Sequence, residues 1–183
     1  MRGKTDHLER YGGKGTWALV TGASDGIGLE FCMQLARQGF NIVLVSRSQT
    51  KLESVVAGDL SQFGIKTRIV VADFSQKTNM AFYTDILRKV SDLDIGLVVV
   101  NAGVLNVGDC ETIEIEKYEQ MMDVNVYQYV AMAHKFGNLL EARIKDQGKR
   151  SGMVFVSSVL AEIPGMKTTM VYCASKVFVK YLC

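Results

Sequence analysis

The stretch Trp17-Ala18-Leu19-Val20-Thr21-Gly22-Ala23-Ser24-Asp25-Gly26-Ile27-Gly28 runs from a short apolar strand through three glycines into an amphipathic helix. Glycines in that setting read as a phosphate cradle. Gly22 permits the tight turn, Gly26 lets the backbone approach a pyrophosphate seated on the helix N-terminus, and Gly28 lets the helix pack close on the strand. Ser24, Asp25 and Ile27 lie inside the same loop and are counted with the glycines as cofactor-contacting positions.

Outward from this loop, short apolar runs alternate with longer helical ones. Trp17–Thr21, Asn41–Val45, Thr67–Ala72, Ile95–Val100 and Gly152–Val156 read as strands. Helices are expected over Gly26–Gln38, Gln49–Gln62, Gln76–Ser91 and Glu114–Ile144, with another opening near Val171. The strands are continuous Val/Ile/Leu runs, the pattern of parallel strands buried on both faces. Right-handed crossovers then give an α/β fold, a Rossmann-type doubly wound parallel sheet in the order 3-2-1-4-5. Residues 1–15 are polar and read as a loosely packed N-terminal arm. Residues 16–183 read as one dinucleotide-binding domain that stops after the fifth strand and about three turns of the last helix. The fifth strand is then expected at an exposed sheet edge, and Pro164 in a loop.

Composition narrows the function classes. The chain has 183 residues, 48% hydrophobic and 22% charged, with a mean hydropathy of +0.12, as ordinary globular domains do. Lys plus Arg number 21 against 19 Asp plus Glu, so a net charge of +2 gives no electrostatic case for nucleic acid. No apolar run reaches the roughly 18–20 residues of a membrane span, so the chain is expected to be soluble as written. Four cysteines without a CxxC pair point to a reducing compartment, and with two histidines they offer no metal site.

The end of the second strand decides the cofactor. An NAD-binding chain would place a carboxylate there for the ribose hydroxyls, but this one has Ser46-Arg47-Ser48. With no carboxylate to repel it, a 2′-phosphate would lie against the Arg47 guanidinium and the serine hydroxyls, which favours NADPH/NADP+ over NADH. Asp73, just past the third strand, is placed to meet the adenine amino group. Asn101-Ala102-Gly103, past the fourth, is placed at the adenosine ribose. All of these fall on one carboxyl edge of one sheet.

Tyr172 and Lys176, four apart on a helix, share a face. In a chain with 7 tyrosines such a pair arises readily by chance, so its position carries the reading. It opens the helix after the fifth strand, which ends in Val156-Ser157-Ser158 on the glycine-loop edge. Reduction of a ketone puts negative charge on its oxygen, so an acid must deliver a proton as hydride arrives. Tyr172 is the candidate acid. A neighbouring ammonium eases ionisation of a phenol, and Lys176 also reaches toward the nicotinamide ribose. The serine hydroxyls there would hold a substrate carbonyl within reach of the Tyr172 phenol.

These residues together resemble the short-chain dehydrogenase/reductases: Thr21–Gly28, Asn101-Ala102-Gly103, Asp123-Val124-Asn125-Val126, Ser158, and Tyr172-Cys173-Ala174-Ser175-Lys176, within a resemblance that runs from Trp17 to Cys183. The family implies a Ser/Tyr/Lys site with an asparagine whose backbone holds a water in a proton relay. Those roles fall on Ser158, Tyr172, Lys176 and Asn125. The glycine loop and Ser46-Arg47-Ser48 with Lys51-Leu52-Glu53 look like the hydroxysteroid dehydrogenase and very-long-chain 3-oxoacyl-CoA reductase branch. That branch implies NADPH-dependent reduction of ketones on large apolar substrates, commonly at the endoplasmic reticulum. It also implies that a homodimer, if formed, pairs through the long helix and the Tyr172 helix.

Departures from the family pattern are informative. Val100 stands where a first asparagine is usual, and the fourteen-residue spacing from Ser158 to Tyr172 is one longer than usual. Family members also continue beyond the catalytic helix with further strands and a substrate lid. Two readings follow: an NADPH-dependent ketone reductase represented by part of its chain, or a non-catalytic remnant that binds NADP(H) or a partner protein. The loop Val159–Val171 carries Leu160, Ile163, Met166 and Met170, which suit an apolar substrate but do not separate an acyl-CoA from a steroid.

Overall fold

The computed structural model describes residues 6–76, 78–163 and 166–182. Its centre is a five-stranded parallel sheet made of β1 (Trp17–Thr21), β2 (Asn41–Ser46), β3 (Thr67–Val71), β4 (Ile95–Val100) and β5 (Gly152–Phe155). The strand order is β3-β2-β1-β4-β5, as the crossover argument requires. β1, β2 and β4 are buried along almost their whole length. That two-sided burial is why their sequences are unbroken apolar runs rather than alternating ones.

Successive side chains serve opposite layers. Leu19, Val43, Val45, Val98 and Val100 face one core, while Ala18, Val20, Ile42, Leu44 and Val99 face the other. The second core takes Cys32 and Leu35 from α2 (Gly26–Arg37) and Leu52 and Val55 from α3 (Gln49–Ala57). The first takes Tyr83 and Ile86 from α4 (Met80–Arg88) and Tyr129, Met132, Phe136 and Leu140 from α6 (Gln128–Gln147). Burying a large apolar side chain stabilises by about 1.5–3 kcal/mol, so these two layers hold the sheet edge where the loops converge.

Two expectations need correction. The helix read over Glu114–Ile144 is present as one unbroken helical run, but it is not α-helical throughout: α5 (Ile115–Met122) passes into a π-helical stretch, Asp123–Tyr127, before α6. Apolar periodicity does not register this because a π-bulge inserts one residue without changing composition. The arm, where described, is not loose. Asp6 caps a short helix α1 (His7–Arg10), and Leu8 packs beside the second core. Tyr11 fills the space left by Gly96 and Gly152: a Cβ would meet Tyr11 O at 2.5 Å from Gly96 and the Tyr11 ring at 3.0 Å from Gly152. Two apolar anchors in a polar segment were enough to order it. Smaller differences are a shorter α4, which starts after the Asn79 cap, and an α3 that ends at Ala57. Pro164 lies outside the described residues. No helix among those described is long and apolar enough to cross a membrane.

A buried charge cluster ties α6 to the sheet. Arg143, 5% exposed, donates to both oxygens of Asp94 and to the Arg150 carbonyl, and Lys149 reaches Asp94 at 2.9 Å. The Arg143 hydrogen bonds hold the Asp94 carboxyl below its ordinary range. A carboxyl whose folded value is depressed contributes stability above its unfolded value near 4 and loses it as pH falls through the folded value. Arg143→Met is therefore expected to destabilise by about 1.5–3 kcal/mol at neutral pH, because Asp94 and the Arg150 carbonyl lose a charged donor while Asp94 keeps Lys149 and some solvent. Urea unfolding should show the gap between variant and parent narrowing toward pH 3.

The chain ends its described part in α7 (Met170–Leu182), which carries Tyr172 and Lys176. β5 is the outer strand on that side of the sheet.

Candidate active site

The loop after β1 turns twice through left-handed backbone, at Gly22 (φ +66°) and Gly26 (φ +54°). A Cβ on Gly28 would overlap the Gly22 carbonyl oxygen, so α2 approaches β1 at a distance only glycine allows. Asp25 is the N-cap of α2, but its side chain makes no capping bond. The first N–H groups of a twelve-residue helix are thus left facing the crevice, where an anion would satisfy them. Asp25 itself pairs with Lys51 at 3.3 Å, which offsets its charge at the mouth of the cradle.

Thr21 braces the facing wall. Its hydroxyl accepts from the backbone N–H groups of Asn101 (2.9 Å) and Ala102 (3.0 Å), and Asn101 Nδ2 donates to the Thr21 carbonyl at 3.0 Å. Glycine loop and Asn101-Ala102-Gly103 are therefore one rigid unit. Beside it lies a pocket of about 180 Å³ lined by Ser24, Asp25, Ser46, Arg47 and Asp73 among others. Ser24 and Ser46 hydroxyls hydrogen-bond at 3.0 Å. Ser48, expected beside them, instead caps α3 by accepting from Lys51 N at 3.3 Å. Arg47 makes no hydrogen bond or ion pair among the described residues, so its guanidinium is open to a ligand. Asp73 is partly desolvated, which works against its charge. The hydrogen bonds from Ser75 N and Ser75 Oγ, and the field of Arg47, still hold its carboxyl below the usual range. An ionised Asp73 is the right acceptor for an exocyclic amine.

The crevice continues over Gly22, Gly26, Ile27 and Gly103 into a second pocket of about 270 Å³, whose far wall is Val156, Ser157, Tyr172 and Lys176. The cofactor positions read from the sequence line two adjoining pockets on the carboxyl edge, except Gly28, which packs against Gly22 behind the loop. The dinucleotide donor set fits: a cradle that admits no Cβ, unfilled helix N–H groups, an open guanidinium, and an ammonium at the far end.

Lys176 is only 2% exposed and makes no ion pair among the described residues. Its ammonium donates to the Val156 carbonyl at 3.0 Å and the Tyr129 hydroxyl at 3.2 Å, and lies 5.9 Å from the centre of the Tyr172 ring. Burial pushes it down to about 8, so it remains largely charged at neutral pH. Asn125 sits in the π-helical stretch with its side chain wholly committed: Oδ1 accepts from Val104 N, and Nδ2 donates to Val104 O and Ser175 Oγ. Any role toward a ligand is left to its backbone.

The two serines divide their work. Ser157 lines the crevice and donates to the Lys176 carbonyl at 2.7 Å. Ser158, the expected substrate holder, caps the 3₁₀ turn Val159–Glu162 by accepting from Leu160 N at 3.2 Å, and is not among the crevice-lining residues. Tyr129 is the residue the sequence reading missed, whereas Ser157 was read together with Ser158 at the strand end and only the family resemblance singled out Ser158. A signal existed for Tyr129, four positions after Asn125 and so about one helical turn on. Leu160, Ile163, Met166 and Met170 do gather, with Cys173 and Val177, in an apolar groove of about 300 Å³ beside α7.

A family model for the short chain dehydrogenase matches residues 16–183. The chain belongs to the short-chain dehydrogenase family. It is similar to a very-long-chain 3-oxoacyl-CoA reductase of Podospora anserina, 34% identical over 178 residues that cover 96% of this chain and 50% of the relative. Among solved structures it resembles a short-chain dehydrogenase from Sphingobium yanoikuyae in complex with NADPH (28% identical, TM-score 0.76, covering 91% of this chain and 62% of that one). It also resembles an NADH-dependent reductase complexed with NAD (27%, TM-score 0.83, covering 97% and 71%). The chain spans about half the length of the curated relatives it matches. Short-chain dehydrogenases are oxidoreductases, and the relatives place this member beside the 3-oxoacyl-CoA reductases. Solved relatives thus hold NADPH in one case and NAD in another.

Proposed function

We propose that this short-chain dehydrogenase chain is the cofactor-binding part of an NADPH-dependent reductase acting on a ketone of a large apolar substrate, a 3-oxoacyl-CoA or a ketosteroid. The observation that carries the reading is the open Arg47 guanidinium beside Ser24 and Ser46, at a strand end without a carboxylate, in the same crevice as Tyr172 and Lys176. The residues that would hold the cofactor are the helix start at Gly26–Gly28, Arg47, Asp73, the Asn101–Gly103 floor and Lys176. When bound, the reduced nicotinamide supplies a hydride.

The chain's own residues do the rest. Tyr172 gives a proton to the ketone oxygen, and Lys176 keeps positive charge next to the phenol and the ribose. Ser157 or Ser158 orients the carbonyl. Ser157 lines the crevice, and Ser158 reaches it if its turn opens as substrate enters. The backbone of Asn125, freed by its fully bonded side chain, is the place for a relay water. Exposed Ile27 and Leu105 at the crevice mouth and the groove beside α7 favour an apolar substrate. The similarity to 3-oxoacyl-CoA reductases extends the reading to lipid metabolism at the endoplasmic reticulum. Pairing through α5–α6 and α7 belongs to the same reading, on the exposure of Ile115, Met122, Val130, Phe178 and Tyr181. A monomer at micromolar concentration in sedimentation contradicts that pairing.

Arg47→Ala tests the cofactor choice. A charge-assisted hydrogen bond contributes about 1.5–3 kcal/mol, so calorimetry should show NADPH binding weakened about 10- to 100-fold. NADH binding should change by less than about threefold. Equal losses for the two nucleotides would remove Arg47 as the 2′-phosphate ligand. For the reaction, loss of nicotinamide absorbance is followed with NADPH and a panel of 3-oxoacyl-CoAs and ketosteroids. A chain that binds NADPH yet oxidises it with none of them supports the remnant reading instead.

A further inference from the structure

We propose that Tyr129 is a positioning residue that holds the Lys176 ammonium charged and aimed into the cofactor crevice, an inference that rests on the cofactor reading above. Tyr129 is fully buried at the start of α6. Its hydroxyl donates to the Val156 carbonyl at 3.0 Å, which fixes the proton there and leaves oxygen lone pairs turned toward Lys176 Nζ, 3.2 Å away. The same ammonium lies 5.1 Å from the centre of the Tyr129 ring. The two distances place the cation at the hydroxyl end of the side chain, where the oxygen is the group that meets it.

The need for this arrangement follows from burial. Lys176 has no carboxylate partner among the described residues, and a desolvated ammonium without an anion must rely on neutral acceptors to stay protonated. An ammonium has three protons. One goes to Val156 O and one to Tyr129 Oη, which leaves the third for the crevice, where a Cβ on Gly103 would come within 3.4 Å of Nζ. The groups that face Lys176 are Tyr172 from α7, Tyr129 from α6, the amide Asn125 from the π-helical stretch near Gly103, and Val156 at the end of β5. Tyr129 and Tyr172 are the titratable ones. Burial drives the Tyr129 phenol upward, so it stays neutral and acts as an acceptor rather than as an acid. Its link to Val156 also fixes the lysine to the strand end that carries Ser157.

A double-mutant cycle on NADPH binding separates positioning from packing. Calorimetry is run on the parent, Tyr129→Phe, Lys176→Met and the double variant. Phenylalanine keeps the ring and removes the hydroxyl, and with it both the acceptor for Lys176 and the donor to Val156 O; the second loss is common to both lysine backgrounds, so the cycle isolates the first. With Lys176 present, Tyr129→Phe is expected to weaken NADPH about three- to tenfold, and in the Lys176→Met background by less than about twofold. In the parent, affinity should fall as pH rises through about 8, and Tyr129→Phe should move that midpoint lower. Equal weakening in both backgrounds, or none in either, overturns the proposal. Urea unfolding of the same four proteins, run cold if Tyr129→Phe is unstable, must show coupling between the two side chains, and additivity there also overturns it. Failure of the parent to bind either nucleotide would show at the first titration and would strike the cofactor reading itself, and this inference with it.

Discussion

Gly28→Ala is expected to abolish saturable NADPH binding and to destabilise the fold by about 2–4 kcal/mol, from one added methyl group. The reason is what the methyl meets. It would overlap the Gly22 carbonyl oxygen and lie 2.7 Å from the Gly22 carbonyl carbon and 2.6 Å from Asn101 Nδ2. The first two are backbone atoms of a turn already held at φ +66°, so they cannot swing aside as a flexible side chain would. α2 must withdraw from β1, and its first N–H groups withdraw from the pyrophosphate with it. Gly137→Ala is the matched control. That glycine lies inside α6 with nothing within 4 Å of the added carbon, and alanine there should stabilise by up to about 1 kcal/mol. Thermal melts and NADPH titrations of the two variants should move in opposite directions. A Gly28→Ala chain that binds as the parent does would mean the nucleotide does not lie on this loop.

Tyr172→Phe should have the largest effect on turnover and little effect on binding. The substitution removes one oxygen at the crevice wall opposite the glycine loop. The proposed reading draws cofactor affinity from the α2 terminus, Arg47 and Lys176, so the NADPH Kd should stay within about threefold. Loss of a positioned general acid lowers kcat by about 10²- to 10⁴-fold. The measurement is ketone-dependent NADPH oxidation at saturating cofactor. An unchanged kcat would move the proton donor elsewhere, and an equal fall in affinity would make Tyr172 a binding residue.

The parallel sheet was legible because burial on both faces writes itself into sequence as unbroken Val/Ile/Leu runs, and the glycine loop because only glycine satisfies its geometry. The residues from Gly22 to Gly103 that line the crevice were readable for the same reason: each follows a strand end, and strand ends define one edge. What was not legible depends on contacts between distant segments. The π-helical stretch at Asp123–Tyr127 carries Asn125, whose side chain bonds Val104 across the site, a long-range contact that helix periodicity does not register. Order in the arm comes from Tyr11 against Gly96 and Gly152, glycines more than 80 residues away. The two adjacent serines could not be told apart because which hydroxyl faces the crevice depends on the local turn after β5. Tyr129 was hidden because a buried aromatic residue in a helix reads as core until its hydroxyl is seen beside Lys176.

The central claim is that this edge of the sheet holds a dinucleotide and selects its 2′-phosphate. Parallel calorimetric titrations of the unmodified chain with NADPH and NADH test it most directly. The account predicts saturable NADPH binding at least about tenfold tighter than NADH, the factor one charge-assisted contact provides. Binding of neither nucleotide, or tighter binding of NADH, would contradict it.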